Sequence, residues 1–257
     1  MMKIFSVVLA LSLSMTALAV DSDRWQTISH ALFPDVVIQD DTSVVTLTTM
    51  SRAEDAAIVP VTVHAMFAQT HERYITDIWL IIDQNPSPVA AHFQFTPRAG
   101  QADIETRVRI NEYTLMRAIA RTNTGEYHQS VRFIKASGGC SAPATKDLDP
   151  TSLGRIKLYT ISAQPGRPSL LQAQIRHPNE SGLAMDQLTR NYAPAHYVRH
   201  LVVATGGKDI ITADLDISIS ENPLFQFYVS PTVKSDISVS FTDNLDAVWS
   251  AGIKSRE

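Results

Sequence analysis

A chain of 257 residues with 44% hydrophobic content has room for one large domain or two small ones and enough apolar mass for a packed core. Its 22 basic and 26 acidic residues leave a formal net charge of −4. Those charges are scattered rather than blocked, which argues against nucleic-acid binding or a basic membrane-surface helix, and a single cysteine excludes any internal disulfide.

The N-terminus has the layout of a secretory signal peptide. Met1-Met2-Lys3 is a short positive start, Ile4 to Thr16 is apolar or small, and Ala17-Leu18-Ala19 offers small side chains where a signal peptidase reads. Cleavage is expected after Ala19, giving a periplasmic protein. The apolar run of about 13 residues is too short for a bilayer core of roughly 30 Å, so no membrane insertion is expected.

Residues 23–33 follow as a short helix, capped by Ser22 or Asp23, with Trp25, Ile28 and Leu32 at spacings of three and four. After it the period changes to two. Val61 and Val63 alternate with polar neighbours, and Tyr74-Ile75 precedes the apolar run Ile78 to Ile82. Ala91 to Thr96 and Ile104, Val108 and Ile110 continue the alternation, and Arg117 to Arg121 and Tyr127 to Phe133 flank the turn Asn123-Thr124-Gly125. Short strands at this spacing predict a β-sandwich.

Residues 136–168 break the pattern with small, polar and turn-forming residues, inside which only Ile156 to Ile161 has the composition of a strand. Alternation resumes at Gln172 to Ile175. Val198 to Val203 and Asp209 to Ala213 flank Gly206-Gly207, a second hairpin, and Ile217 with Ile219, Phe225 with Phe227, and Ile237, Val239 and Phe241 complete a second, smaller sandwich. The expected organisation is a signal peptide over 1–19, a sandwich over 20–135, a cysteine-bearing linker over 136–168 and a sandwich over 169–257. Trp79, Phe93, Phe95, Phe133, Phe225 and Phe227 are expected in the core. Asp83, Asp103, Glu105 and Glu112 are expected on solvated faces.

Cys140 is the informative residue. It sits in Ala136-Ser137-Gly138-Gly139-Cys140-Ser141-Ala142-Pro143, with no local apolar cover. Gly138, Gly139 and Ser141 are expected to form a flexible arm that leaves the thiol in solvent, with a pKa near about 8.5 and slightly lowered by Lys135 and Lys146. An exposed unpaired thiol in an oxidising compartment invites dimerisation and oxidation, so it points to use rather than accident. That reading requires the sulfur to stand clear of the folded body.

At Gly138-Gly139-Cys140 the chain begins to resemble SoxY, the sulfur-carrying subunit of the SoxYZ complex, whose arm reads GGCGG. Trp25 with Leu32-Phe33, Ala53-Glu54 ahead of Val59-Pro60-Val61, Asn85-Pro86, and Arg107-Val108-Arg109-Ile110 carry the same resemblance. The second half resembles SoxZ through Arg176-His177-Pro178, Ser181-Gly182, Pro194-Ala195-His196, Ser220-Glu221-Asn222-Pro223, and Phe225 with Phe227. The whole is similar to the fused SoxYZ-like carriers associated with quinoprotein dehydrogenases. The resemblance implies an all-β fold of two immunoglobulin-like sandwiches paired within one chain. It implies that Cys140 holds sulfur intermediates as thiosulfonate or persulfide adducts, as in thiosulfate oxidation, and presents them to periplasmic sulfur-processing enzymes or cytochromes, or to a quinoprotein dehydrogenase system. It implies a carrier that catalyses little and needs no cofactor. In SoxY the arm is the free C-terminus, whereas here it is internal, and Ser141-Ala142-Pro143 replaces the trailing glycines.

Other chemistry finds little support. His196 and His200, four apart on a strand, are about 13 Å apart along the chain, too far to share an ion. His177 before Pro178 reads as a turn or interface residue. There is no G-x-S-x-G elbow, glycine-rich phosphate loop or CxxC pair. The alternative function is a non-catalytic interaction or maturation protein for a periplasmic dehydrogenase, with the thiol incidental.

Overall fold

The computed structural model describes residues 23–143, 150–186, 189–233 and 235–254. The expected signal peptide, Ser22 and Lys146 lie outside these. The chain divides into two compact units, one ending at Val37 and the other running from Ile38. The first contains an α-helix over residues 23–32, one residue shorter than the spacing predicts; Phe33 N–H closes its last turn on Ser29 O at 2.8 Å. No helix among the described residues is long and apolar enough to cross a membrane.

The second unit is built from two sheets. From the first half, β1 (Ile38–Asp40), β4 (Ile75–Ile82), β5 (Val89–Phe95), β7 (Thr114–Thr122) and β8 (Tyr127–Ile134) enter one sheet. The second half adds β11 (Val198–Thr205), β12 (Lys208–Leu215), β14 (Ile237–Asp243) and β15 (Val248–Ile253) to it, in the order β1-β8-β7-β4-β5-β12-β11-β14-β15. The other sheet takes β2 (Val45–Thr49), β3 (Val59–Ala65) and β6 (Ile104–Val108), then β13 (Leu224–Val229), β10 (Ser169–Ile175) and β9 (Ile156–Ser162), in the order β2-β3-β6-β13-β10-β9.

Each half is thus an immunoglobulin-like sandwich, and the halves are joined edge to edge in both layers. β5 pairs with β12 (Phe95 with Ile211, Ala91 with Leu215), and β6 pairs with β13 (Ile104 with Phe227). Backbone edges left open by one half are closed by the other, which removes the aggregation hazard of exposed edges. The 136–168 segment therefore does not separate one core from another. Within it, β9 pairs with β10 from Ile156 opposite Ile175 to Ser162 opposite Leu170, so the second sandwich begins at 156 rather than 169.

Alternation explains the core. Val59, Val61, Val63 and Ala65 of β3 point inward, as do Phe225, Phe227 and Val229 of β13. Phe93 of one sheet meets Phe225 of the other edge-on, ring centres 6.1 Å apart, tying halves and layers together. Trp79 and Phe133 depart from expectation. Trp79 alternates out of phase with Ile78 and Leu80 and stacks on the outer face against His92, 4.4 Å between ring centres, while Phe133 is exposed. Asp83 also departs: it is fully buried, where Arg117 donates from Nε and Nη2 to its carboxylate at 2.9–3.0 Å. Ile217 and Ile219 lie in a turn, not a strand, with Ile219 bridging Val108.

Both predicted hairpins form. β7 and β8 pair from Arg121 opposite Tyr127, with Gly125 at φ +86°, and β11 and β12 pair across Gly206 and Gly207, at φ +54° and +72°. Three strands with weaker patterns, β1, β2 and β15, are absent from the sequence expectation.

Candidate functional site

After β8 the chain does not leave the body as a free arm. Lys135 N–H donates to Ser51 O and Ala53 N–H to Lys135 O, which keeps the segment beside residues 51–53. Gly138, exposed and at φ +84°, then turns the chain inward. Its N–H donates to Asn111 O at 2.8 Å, and the N–H of Gly139 donates to Ile110 O at 2.8 Å. Gly139–Ser141 forms one 3-10 turn, and Cys140 at its centre is fully buried.

The exposed, flexible arm expected of Gly138, Gly139, Cys140 and Ser141 is therefore corrected: the segment is a fixed turn with Cys140 beneath it. The glycines are the physical reason. A Cβ on Gly139 would lie 2.0 Å from Ala56 O and 2.8 Å from Ile110 O, so the absent side chain permits close backbone approach rather than exposure.

Two clamps hold the turn. Arg109, just beyond β6 and almost fully buried, donates from Nη1 to Gly139 O at 3.3 Å and to Ala142 O at 3.4 Å. Its Nη2 donates to Asn179 O at 3.1 Å. The other clamp comes from the second half, where the Ser181 hydroxyl donates to Cys140 O at 2.5 Å. Ser181 Oγ in turn accepts from Leu183 N–H at 3.2 Å. Asn179 is the hub behind both. It adopts φ +46°, donates from Nδ2 to Ile219 O and accepts from Val198 N–H. Ser181→Ala removes the donor to Cys140 O and is expected to cost about 1–2 kcal/mol in urea unfolding, with faster alkylation of Cys140.

Burial sets the chemistry of the thiol. Desolvation pushes the Cys140 pKa up to about 11, against the pull of the Arg109 guanidinium, so Arg109 rather than Lys135 is the cation that acts on it. The expectation of an ordinary thiol thus fails with the expectation of exposure. The folded state holds the proton above the unfolded value of about 8.5, so the associated stability is present below about 8.5 and is lost as pH rises towards 11. Folding free energy should fall by about 1.4 kcal/mol per pH unit in that window, and Cys140→Ser should abolish this slope in urea titrations.

The remaining candidates separate. His200 pairs with Asp214 at 2.9 Å, whereas His196 meets Asp243 at 2.8 Å, so the two do not share a site. His177 is fully buried beside His196, ring centres 4.5 Å apart. Sequence reasoning passed over Arg109, Asn179 and Ser181 as roles, although Arg109 and Ser181 stand in the short motifs that carried the resemblance.

The paired sandwiches thus close a glycine turn over the single thiol of the chain. Residues 29–140 match the family described as sulfur oxidation protein SoxY, and residues 156–254 match sulphur oxidation protein SoxZ. The chain belongs to the SoxYZ family, with the two domains fused in one polypeptide. At the level of class it is a carrier protein of sulfur oxidation. Among solved structures it is similar to the sulfur carrier protein SoxY from Chlorobium limicola f thiosulfatophilum, at 24% identity over 48% of this chain and 99% of that one, with a TM-score of 0.40. A β-glucuronidase from Parabacteroides merdae aligns at 8% identity over 84% of this chain, with a TM-score of 0.25; the chain spans about a quarter of that enzyme. The assignment rests on the two family matches. No curated protein matches the chain.

Proposed function

We propose that Cys140 is the covalent attachment point of this carrier, holding a sulfur intermediate for partner enzymes in the periplasm after cleavage behind Ala19. The observation that supports this most is the reach of the SoxY match, which ends on Cys140 itself. Loading by thiosulfate joins the Cys140 thiolate to the terminal sulfur as Cys140–S–S–SO3⁻ and releases two electrons, which a redox cofactor of the loading enzyme accepts. Arg109, whose charge favours an anion at this sulfur, suits both the thiolate and the sulfonate.

A buried thiol is loaded only if its turn opens. Gly138, Ser141 and Pro143 are exposed on either side of Cys140, so the turn lies one residue deep. Opening it breaks about five hydrogen bonds, each of net worth about 1 kcal/mol, so the open state is roughly 10⁻² to 10⁻⁴ of the population in the free protein. A loading partner captures that state. Periplasmic cytochromes or a quinoprotein dehydrogenase system are the partners this reading names.

Burial also favours a second reading, in which the fused pair is an adaptor for such a dehydrogenase and the thiol is incidental. Intact mass of protein taken from its host separates the two. Reductant-sensitive additions of about 32 Da for a single sulfur atom, or of about 112 Da for the thiosulfonate, absent from Cys140→Ser, are expected of the carrier. Identical additions on Cys140→Ser overturn it. Unchanged host growth with Cys140→Ala, together with lost partner binding on surface substitution, supports the adaptor. The same mass spectrum should show the mature chain beginning at Val20.

A further inference from the structure

Next to Asn179, which contacts His177, lies a group of three side chains that the carrier role leaves unused. One ligand atom each of His177, His196 and Asp243 falls within 4.8 Å of the others, and Nε2 of both histidines faces Asp243 Oδ2. His177 follows β10, His196 precedes β11 and Asp243 ends β14, so the second sandwich brings together three positions that are far apart in the chain. The geometry points to a divalent transition-metal site, with Zn2+ held by His177, His196 and Asp243. This inference stands independently of the carrier role of Cys140.

Three observations carry it. His177 is fully buried, and its Nε2 has no hydrogen-bond partner, although it lies 3.7 Å from Asp243 Oδ2. Leaving a buried imidazole nitrogen unpaired is unfavourable, and an ion in the gap would satisfy it. Outer contacts also fix the ligands in the manner of metal centres. His177 Nδ1 lies 3.1 Å from Asn179 Oδ1; in the tautomer that donates Nδ1–H to this oxygen, the Nε2 lone pair is the one that faces the cluster. Asp243 Oδ1 accepts from Leu245 N–H at 2.9 Å and from Ala247 N–H at 2.8 Å, so Oδ2 alone is turned to the histidines. The spacings suit the ion as well. Tetrahedral zinc with bonds of about 2.0–2.1 Å sets its ligand atoms about 3.3 Å apart. The observed 2.8 Å between His196 and Asp243 and 3.7 Å between His177 and Asp243 bracket that value.

The rest of the setting selects the ion. Two imidazoles and a carboxylate are borderline ligands that suit Zn2+ better than Mg2+ or Ca2+. Trp249 packs edge-on to His177, ring centres 5.9 Å apart, and covers it. Three protein ligands leave a fourth tetrahedral position for water or an external ligand, and the His196 side chain, 25% exposed, brings solvent to the edge of the group. Three protein ligands with one open position is the pattern of zinc sites that bind or activate something, not of closed structural ones.

Titration of chelator-stripped full-length protein with Zn2+ alone, followed by calorimetry, tests this. One ion per chain is expected, with affinity reduced at least ~100-fold by His196→Gln and by Asp243→Asn, more than an outer-shell partner's share. Asp243→Asn keeps the oxygen that accepts from Leu245 and Ala247, and His196 is partly exposed, so both variants should fold. Cys140→Ser should bind as the parent does. A wild-type measurement makes the test independent of the variants: Zn2+ should shift the imidazole NMR signals of His177 and His196 and leave those of His64 and His92 in place. Absence of saturable binding, unchanged affinity in both variants, loss of binding in Cys140→Ser, or unmoved His177 and His196 signals would overturn the site.

Discussion

Gly139→Ala is expected to expel the cysteine turn from its seat. The added methyl carbon would stand 2.0 Å from Ala56 O and 2.5 Å from Ala56 C, and both are backbone atoms held by the Ile110 N–H bond to Ala56 O. Neither can yield as a side chain would, so the turn itself has to move. Moving it breaks the bonds to Ile110 O and Asn111 O and exposes Cys140. Overpacking of this kind costs about 2–4 kcal/mol. The same free energy is what keeps the thiol closed, so its loss should raise the rate of Cys140 alkylation by iodoacetamide roughly 100-fold or more. Gly138→Ala is the control. Its Cβ meets nothing within 4 Å, and only the φ of +84° resists it, at about 1–2 kcal/mol. If Gly139→Ala leaves both the urea midpoint and the alkylation rate unchanged, the seat described for Cys140 is wrong.

Arg109→Met has the second large effect. It removes the donors to Gly139 O, Ala142 O and Asn179 O, each of which then faces a side chain that cannot hydrogen-bond. Losing buried partners costs about 1–3 kcal/mol apiece, offset by the relief of no longer burying a guanidinium. The burial of that cation is itself costly, which is why its own pKa is lowered despite the nearby Glu221 and Cys140. A net loss of about 3 kcal/mol is expected in urea unfolding. The thiol responds too. Without the cation that opposes desolvation, the Cys140 pKa should move above its parent value, and the alkylation-versus-pH curve should shift to higher pH. Arg109→Lys should recover much of the electrostatic effect but little of the stability, because an ammonium cannot span three carbonyls in a planar fork. A variant that is as stable as the parent, with an unshifted curve, would show that Arg109 does not hold the turn.

Periodicity gave away much of the fold. Val61 and Val63, Phe225 and Phe227, and Ile237, Val239 and Phe241 have the alternation of strands with one buried face, and that is where they lie. Turn chemistry at Asn123-Thr124-Gly125 and Gly206-Gly207 fixed two hairpins. Trp79 and Phe133 failed because hydrophobicity does not say which face of a strand a residue takes. Asp83 failed because a carboxylate goes inside when a guanidinium reaches it, and Arg117 lies 34 positions away.

The sequence by itself determined the two sandwiches, the turns that bound them and the identity of the one thiol. Only the tertiary structure decided that both halves share two continuous sheets, that Cys140 lies under its turn, and that His177, His196 and Asp243 meet. The reason is the range of the forces involved. Alternation and turn geometry act between neighbours and are written in consecutive residues. The setting of Cys140 depends instead on Ala56, Arg109 and Ser181, which come to it only when distant strands pair, and a glycine reads the same in sequence whether it loosens a loop or lets two backbones touch.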